Sequence, residues 1–418
     1  MDGFGSPWSC GPEPAAPDRS HVPDPTRSGP VSPDAIAEAI ARFNRALGGD
    51  ASASPYTAFD ERRAEGPVLV DQRERRPDGT ERLWFSVLTW DSVATVLASP
   101  HAFGRSILEM DEPDHREHRA LLHPVLSRQA VEREAASAVG RIVDDAISAI
   151  APAGSSELIT DLLLPLPARI LGHLLGLDPE EVDRFHLLSI EINGPTVDRT
   201  RAEAASEALA DWLQPVIAAR RSRPGSDLIS VLAASSLHGR PVTPEQVFAF
   251  VRLLGPAGTD TVYRSSSNLV LGLLSQPDQM EALRRDRSLM PQAIDEAVRW
   301  ECPLVTVLRG ATEDIPVGAV TIPAGSVIAV HVGAANHDPA RWTDPEDFDI
   351  FRPRLANVGF GGGPHGCVGI HLARVTLTCL LESLVRHLPA LRLDPRRTVP
   401  QIEGQTFRAP ARLDVVWR

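Results

Sequence analysis

The sequence predicts a mainly α-helical protein with a minor β portion, folded as a single globular unit. Three features of the chain point there. Helix-capping signals followed by apolar residues at helical spacing recur between Ser32 and Cys302. Two short apolar runs, 67–72 and 83–88, flank the turn triplet Pro77-Asp78-Gly79. Past Pro303 the helical pattern yields to short β-like runs among Gly and Pro, and it returns only after Cys367.

Residues 1–30 are rich in Pro, Gly and Ser and hold few apolar side chains. They are expected to form a flexible leader ahead of one domain spanning 31–418. Ser32-Pro33-Asp34 supplies an N-cap with proline at the first helical position, and Ile36, Ile40 and Phe43 follow at helical spacing. The runs 67–72 and 83–88 read as an antiparallel hairpin, because Pro and Gly set a turn between them. From Trp90 to about Cys302 nearly everything reads helical. The stretch 198–222 is Ala-rich with Arg and Glu on one side, as in a long surface helix. Thr243-Pro244-Glu245-Gln246 is a capping box that opens another long helix. The β-like runs are 305–308, 315–317 and 326–330.

Of 418 residues, 43% are hydrophobic and 23% charged, enough apolar material for a large core. The formal net charge of −13 argues against nucleic acid or an anionic membrane as the main partner. The four cysteines are Cys10, Cys302, Cys367 and Cys379, and none forms a Cys-x-x-Cys pair, which excludes zinc-ribbon and thioredoxin chemistry. A chain with a full core needs no disulfides, so a reducing cytoplasm is the expected location. Met1 to Ser20 carries Asp2, Glu13 and Asp18 without an apolar run, unlike a secretory signal. The most apolar stretch, 158–177, is interrupted by Asp161, Pro165, Pro167, Arg169 and His173, so no membrane anchor is expected.

The strongest chemical signal is Phe360-Gly361-Gly362-Gly363-Pro364-His365-Gly366-Cys367-Val368-Gly369, directly before an apolar-periodic helix over 370–385. A cysteine there sits at the positive end of a helix, which favours a thiolate. The glycines permit close backbone approach and positive φ. Backbone amides turned toward the sulfur would temper its electron donation, as outer contacts tune a metal ligand. For Cys367 alone, a glycine-rich loop around an inert buried thiol is the competing reading. Cys302 and Cys379 have no such setting and read as core residues.

The loop closely resembles the haem loop of the cytochrome P450 family, Phe-Gly-x-Gly-x-His-x-Cys-x-Gly, at every specified position. The resemblance makes Cys367 the thiolate ligand of a haem b iron and places Phe360, His365 and Gly369 beside the cofactor. Three further motifs follow in the family's order. Glu296-Ala297-Val298-Arg299 puts an acid and a base on one helix face. Read alone, this is a surface ion pair worth at most about 1 kcal/mol. The resemblance implies instead a buried structural network of Glu296, Arg299 and Arg352. Ala257-Gly258-Thr259-Asp260-Thr261, inside the helix capped at Thr243, resembles the family's oxygen-binding groove. There Ala257 and Gly258 would leave space for O2, Thr261 would offer it a hydroxyl, and Asp260 would relay protons from bulk water. Pro256 removes a mid-helix hydrogen bond, so a local kink or unwinding is expected. His115 and Arg119, four residues apart on one helical face, can hold one anion together. The resemblance assigns them, with Arg309, to the haem propionates. Asn357 stands where many bacterial members carry a propionate-binding histidine, and it brings a donor without charge.

The resemblance spans roughly 33–418 and implies a haem-thiolate monooxygenase. One atom of O2 would enter an apolar organic substrate, and the other would leave as water. Electrons would come from a separate ferredoxin and its reductase, and secondary-metabolite or other biosynthetic oxidation is the expected setting. Oxidative coupling and peroxide-driven oxidation use the same haem motifs, and a non-enzymatic haem sensor is a further alternative. The Asp260–Thr261 pair speaks against the peroxide-using and sensor readings. The pocket is expected from Ile107 and Leu108, the 186–197 segment, the groove helix, Leu304 and Val305, and Thr406 and Phe407. The short stretch between Phe103 and His115 suggests a pocket open on that side, suited to a bulky or carrier-tethered substrate. Arg116, Arg128, Arg354 and Arg374 are expected on the cysteine side as a basic patch for an acidic ferredoxin.

Overall fold

The computed structural model describes residues 31–47, 54–76, 79–99, 110, 113–193 and 198–418. The 1–30 leader, Pro77 and Asp78 of the turn, the short stretch before His115 and the pocket residues Ile107 and Leu108 lie outside the described residues. The chain is mainly helical. Helix α1 (Pro33–Ala46) starts where the Ser32 hydroxyl accepts the Ala35 N–H at 3.2 Å, and it buries Ile36, Ala39, Ile40 and Phe43. Helix α2 (Pro55–Glu65) leads into the antiparallel pair β1 (Val68–Arg75) and β2 (Glu81–Val87). A bulge at Asp71 shifts their register.

Two distant strands complete this sheet, β3 (Val307–Gly310) and β4 (Val327–Val330). The order is β1-β2-β4-β3, with β4 parallel to β2 and antiparallel to β3. The run expected at 305–308 begins two residues late. Val305 spends its N–H on the Thr406 carbonyl at 3.0 Å, and its own carbonyl accepts the Gly333 N–H at 2.9 Å, so it leaves the ladder.

The remaining helices that position the site are α3 (Trp90–Ala98), α4 (Asp114–Ala120), α5 (Pro179–Ile192), α6 (Arg199–Ser222), α7 (Pro244–Ser275), α8 (Met290–Trp300) and α9 (Ile370–His387). The region between Trp90 and Cys302 is not helical throughout. Ser155–Glu157 pairs with Asp414–Val416, and Ser236–Leu237 pairs with Arg240–Pro241. The first pairing joins segments far apart in sequence, which local periodicity cannot signal. Helix α6 is less a surface element than expected, since Ala205, Leu209, Leu213 and Ile217 are buried.

Helix α7 opens on the reciprocal cap, with Gln246 N–H on the Thr243 hydroxyl at 3.3 Å and Thr243 N–H on Gln246 Oε1 at 2.8 Å. It runs through Pro256 as continuous α-helix, so the expected unwinding does not occur. Tertiary packing holds the turn. Gly255 lies so close to α5 that a Cβ would come within 2.4 Å of the Ser189 hydroxyl, and the Thr259 hydroxyl bonds the Gly255 carbonyl at 2.9 Å.

Two buried histidines make the fold acid-sensitive. Burial pushes His186 of α5 down to about 4, and burial helped by Arg62 does the same to His331 just after β4. An unfolded histidine titrates near 6.5, so between about pH 6.5 and 4 the unfolded chain binds more protons and acid favours unfolding. Each histidine is expected to remove on the order of 3 kcal/mol by pH 4 and nothing above pH 7. Urea midpoints measured from pH 7.5 to 4.5 should fall across that window, and His186→Leu should flatten the slope. A flat profile in the parent protein would refute the assignment.

Candidate active site

The cysteine loop is shaped by its glycines. Gly363 has φ +62°, and a Cβ there would lie 2.2 Å from the Leu97 carbonyl of α3. Gly361 has φ +70°. The Cys367 N–H closes the loop on the Phe360 carbonyl at 2.8 Å. Cys367 ends up three residues before α9, open on one side and enclosed by protein on the others. Burial pushes its thiol above the ordinary range, while the Gly369 amide and the Arg119 guanidinium pull it down without prevailing.

Around Cys367 three of the predicted anion-binding residues gather, His115, Arg119 and His365. His115 of α4 is buried, and its ring stacks on His365 of the cysteine loop, with centroids 3.8 Å apart and planes 21° apart. Arg119, one turn further along α4, interacts electrostatically with Cys367, and burial lowers its own pKa. Arg374 lies over the Phe360 ring at 5.5 Å. Arg309 sits on β3 with its Nη1 on the Leu308 carbonyl at 2.9 Å. Asn357 also shapes the loop: its Nδ2 donates to the Asp295 carbonyl at 3.1 Å and its Oδ1 accepts the Gly359 N–H at 3.0 Å.

Ala257, Gly258, Asp260 and Thr261 share α7. Gly258 is tightly approached by Leu171. The Thr261 hydroxyl donates to the Ala257 carbonyl at 2.8 Å, which leaves its oxygen as an acceptor. Asp260 is turned inward rather than toward bulk water. Its carboxylate is buried, and Arg264 Nε lies 3.1 and 3.0 Å from its two oxygens. Arg264 in turn donates to Asn44 Oδ1 of α1 at 2.6 Å. The sequence held this signal as an acid and a base at i, i+4, and sequence reasoning passed over it.

Glu296, Arg299 and Arg352 meet in the interior. Arg299 bonds both Glu296 oxygens, at 2.8 and 2.9 Å, and Arg352 Nε reaches one of them at 3.2 Å. The spare guanidinium protons go to carbonyls of Asn336, Pro345 and Asp347 from Arg299, and of Asp344 and Asp347 from Arg352.

The pocket segments also meet, since Leu304 bridges to Phe407. Leu304 and Thr406 are half-buried there. Val305 is fully buried against Gly333 and belongs to the core around the sheet, so it is not a cavity residue. Phe407 is half-buried, with its ring 5.5 Å from Phe43 and beneath Arg264. The basic patch is weaker than its arginine count suggests. Arg354 and Arg374 both pair with Asp295, at 3.2 and 2.7 Å. Arg116 and Arg128 are exposed, and Arg128 and Arg374 both act on His371, which burial and these charges hold below its usual range.

Comparison with known proteins agrees with this geometry. The cytochrome P450 family model matches residues 189–414. Cytochrome P450 107B1 of Saccharopolyspora erythraea is 35% identical over 69% of this chain and 71% of its own. The cytochrome P450 monooxygenase PikC of Streptomyces venezuelae is 32% identical over 84% of this chain and 87% of its own. Among solved structures, CYP109E1 of Bacillus megaterium in complex with testosterone superposes with TM-score 0.79 at 27% identity, covering 88% of this chain and all of that one. P450BioI in complex with an acyl carrier protein ligated to hexadec-9Z-enoic acid superposes with TM-score 0.78 at 25% identity, over 88% of this chain and all of that one. Fold and site together define an oxygen-using oxidoreductase of the haem-thiolate class. The chain belongs to the cytochrome P450 family and is a monooxygenase of that family.

Proposed function

We propose that Cys367 ligates the iron of haem b and that the enzyme inserts one oxygen atom from O2 into a bulky apolar substrate. The observation that carries this reading is the closed cysteine loop, with the Gly369 amide and the Arg119 charge both acting on the sulfur. The residues fit such a cofactor, because a thiol open on one side lies beside a buried imidazole stack and a guanidinium suited to carboxylates. When bound, the haem supplies O2 activation and two-electron oxidation. His115, Arg119, Arg309 and His365 hold the propionates, while Phe360 and Gly369 border the ligand. Ala257 and Gly258 leave room beside the helix. The Thr261 oxygen accepts a hydrogen bond, and Arg264, itself anchored on Asn44, holds the buried Asp260 carboxylate in place beside it. The Glu296–Arg299–Arg352 network is structural.

The functional unit is residues 31–418, working in the cytoplasm on a biosynthetic oxidation. No helix among the described residues is long and apolar enough to cross a membrane. Leu304 and Thr406 line the pocket with neighbouring backbone. The likeness to a testosterone-bound and an acyl-carrier-bound P450 supports a bulky or carrier-tethered substrate. Electrons arrive from a ferredoxin docked near Arg128 and Arg374, with the reductase behind it.

Turnover with ferredoxin, ferredoxin reductase, reduced nicotinamide cofactor and O2 tests this reading, on substrates selected by their spin-state shift. Product formation should require both O2 and reductant. Full activity with peroxide and no reductant would replace it with the peroxide-driven alternative. Charge reversal at the exposed Arg116 and Arg128 together should slow ferredoxin-driven turnover about tenfold, the low end of electrostatic steering, and spare peroxide-driven turnover. Equal loss of both would reject the docking site.

A further inference from the structure

Helix α8 carries two adjacent carboxylates with different surroundings. Glu296 is buried, and the arginines that hold it give their remaining protons to backbone carbonyls. Asp295 lies about 100° around the helix from it, at the rim. Its Oδ1 accepts Arg374 Nη2 at 2.7 Å, and its Oδ2 accepts Arg354 Nη2 at 3.2 Å. The Asp295 side chain is 25% exposed, that of Arg374 41% and that of Arg354 63%. Among the described residues neither guanidinium has another hydrogen-bond acceptor, and Arg374 Nε is buried without a partner.

These two arginines border the cysteine loop. Arg374 lies over the Phe360 ring, and together with Arg128 it acts on His371. Beside Asp295 and Arg354 opens a cleft of about 240 Å³ whose lining includes Leu355, an apolar side chain 47% exposed. The chain as a whole is acidic, at −13, so a band of arginines beside an exposed apolar residue is a local feature. It complements a partner that presents carboxylates. Yet Arg354 and Arg374 already hold one. Such a half-exposed pair is weak, and each guanidinium gives Asp295 a single bond. A partner's carboxylate can instead take two N–H groups of one guanidinium, the stronger geometry.

We propose that Asp295 is an internal competitor for the carboxylates of the ferredoxin. It occupies Arg354 and Arg374 in the free enzyme, and an incoming carboxylate takes them over. Asp295 thereby sets how tightly the partner is held, and it selects against partners too weakly acidic to displace it. This rests on the proposed docking face, to which it adds Arg354 and the competing acid.

The test is calorimetric titration of the haem-loaded full chain with an acidic plant-type two-iron ferredoxin at low ionic strength, where surface charges are least screened. Asp295→Asn keeps the shape and removes the charge. It should tighten binding about fivefold, equivalent to ~1 kcal/mol. In a chain already carrying Arg354→Gln and Arg374→Gln the same substitution should bring no gain, because nothing is left to release. Plain repulsion between Asp295 and the ferredoxin would instead give the same gain in both chains. An equal gain in both, or none in the parent protein, overturns the proposal. Asp295→Ser repeats the comparison with a smaller group if Asp295→Asn does not load haem. Charge reversal at Arg116 and Arg128 keeps the underlying reading separate. If it weakens binding while Asp295→Asn changes nothing, only this proposal falls. If it too changes nothing, the docking face falls with it.

Discussion

Cys367→Ala is expected to abolish the red-shifted carbon-monoxide spectrum and to lower turnover by more than about 100-fold, beyond what loss of an outer-shell partner costs. Neither of the other described cysteines is placed to substitute for it. Cys302 is buried with its thiol on the Leu304 carbonyl, and burial pushes it up to about 12. Cys379 lies further along α9, near Gly140. Haem binding should weaken without vanishing, because the His115–His365 stack and Arg119 remain as anion partners. Cys367→Ser separates ligation from packing, since it keeps the volume and the loop-closing N–H while replacing the sulfur. A Cys367→Ala protein that retained the red-shifted band would show that another group binds the iron.

Glu296→Gln is the second large effect. It keeps the shape but strands two guanidinium groups, and Arg299 among them is almost wholly inaccessible. The expected cost is about 3–5 kcal/mol, which for a chain of this size lowers Tm by about 3–6 °C. The contrasting change is Glu203→Gln. Arg199 and Glu203 also form a helical ion pair, at 2.7 Å, but both side chains are mostly in water. That variant should leave Tm unchanged within error. Circular-dichroism melts of the two variants decide the matter, and equal shifts would mean that burial is not what gives the Glu296 network its weight.

These two ion pairs show where reading from sequence stops. Glu296–Arg299 and Arg199–Glu203 have the same local signature, an acid and a base within one helical turn. Nothing nearby in the chain says that one is packed under the loop carrying Arg352 while the other faces solvent. Asp260–Arg264 is a third such pair, also buried, and it takes the groove acid away from solvent. The contact of Ser86 with His331 was illegible for the same reason, since only the parallel pairing of β2 with β4 brings the two together.

The sequence by itself determined the ligand loop, the long capped helix with its acid–alcohol pair, the mainly helical class and the early hairpin. Each is encoded locally, in spacing, capping residues and glycines whose conformations few other residues tolerate. Tertiary structure alone decided the rest. It kept Pro256 within a continuous helix, turned Val305 into core, set Asn357 against backbone groups of its loop, and partly neutralised the basic patch through Asp295. In each case the outcome depends on which distant groups exclude water or complete a hydrogen bond, and that is settled only when the chain has packed.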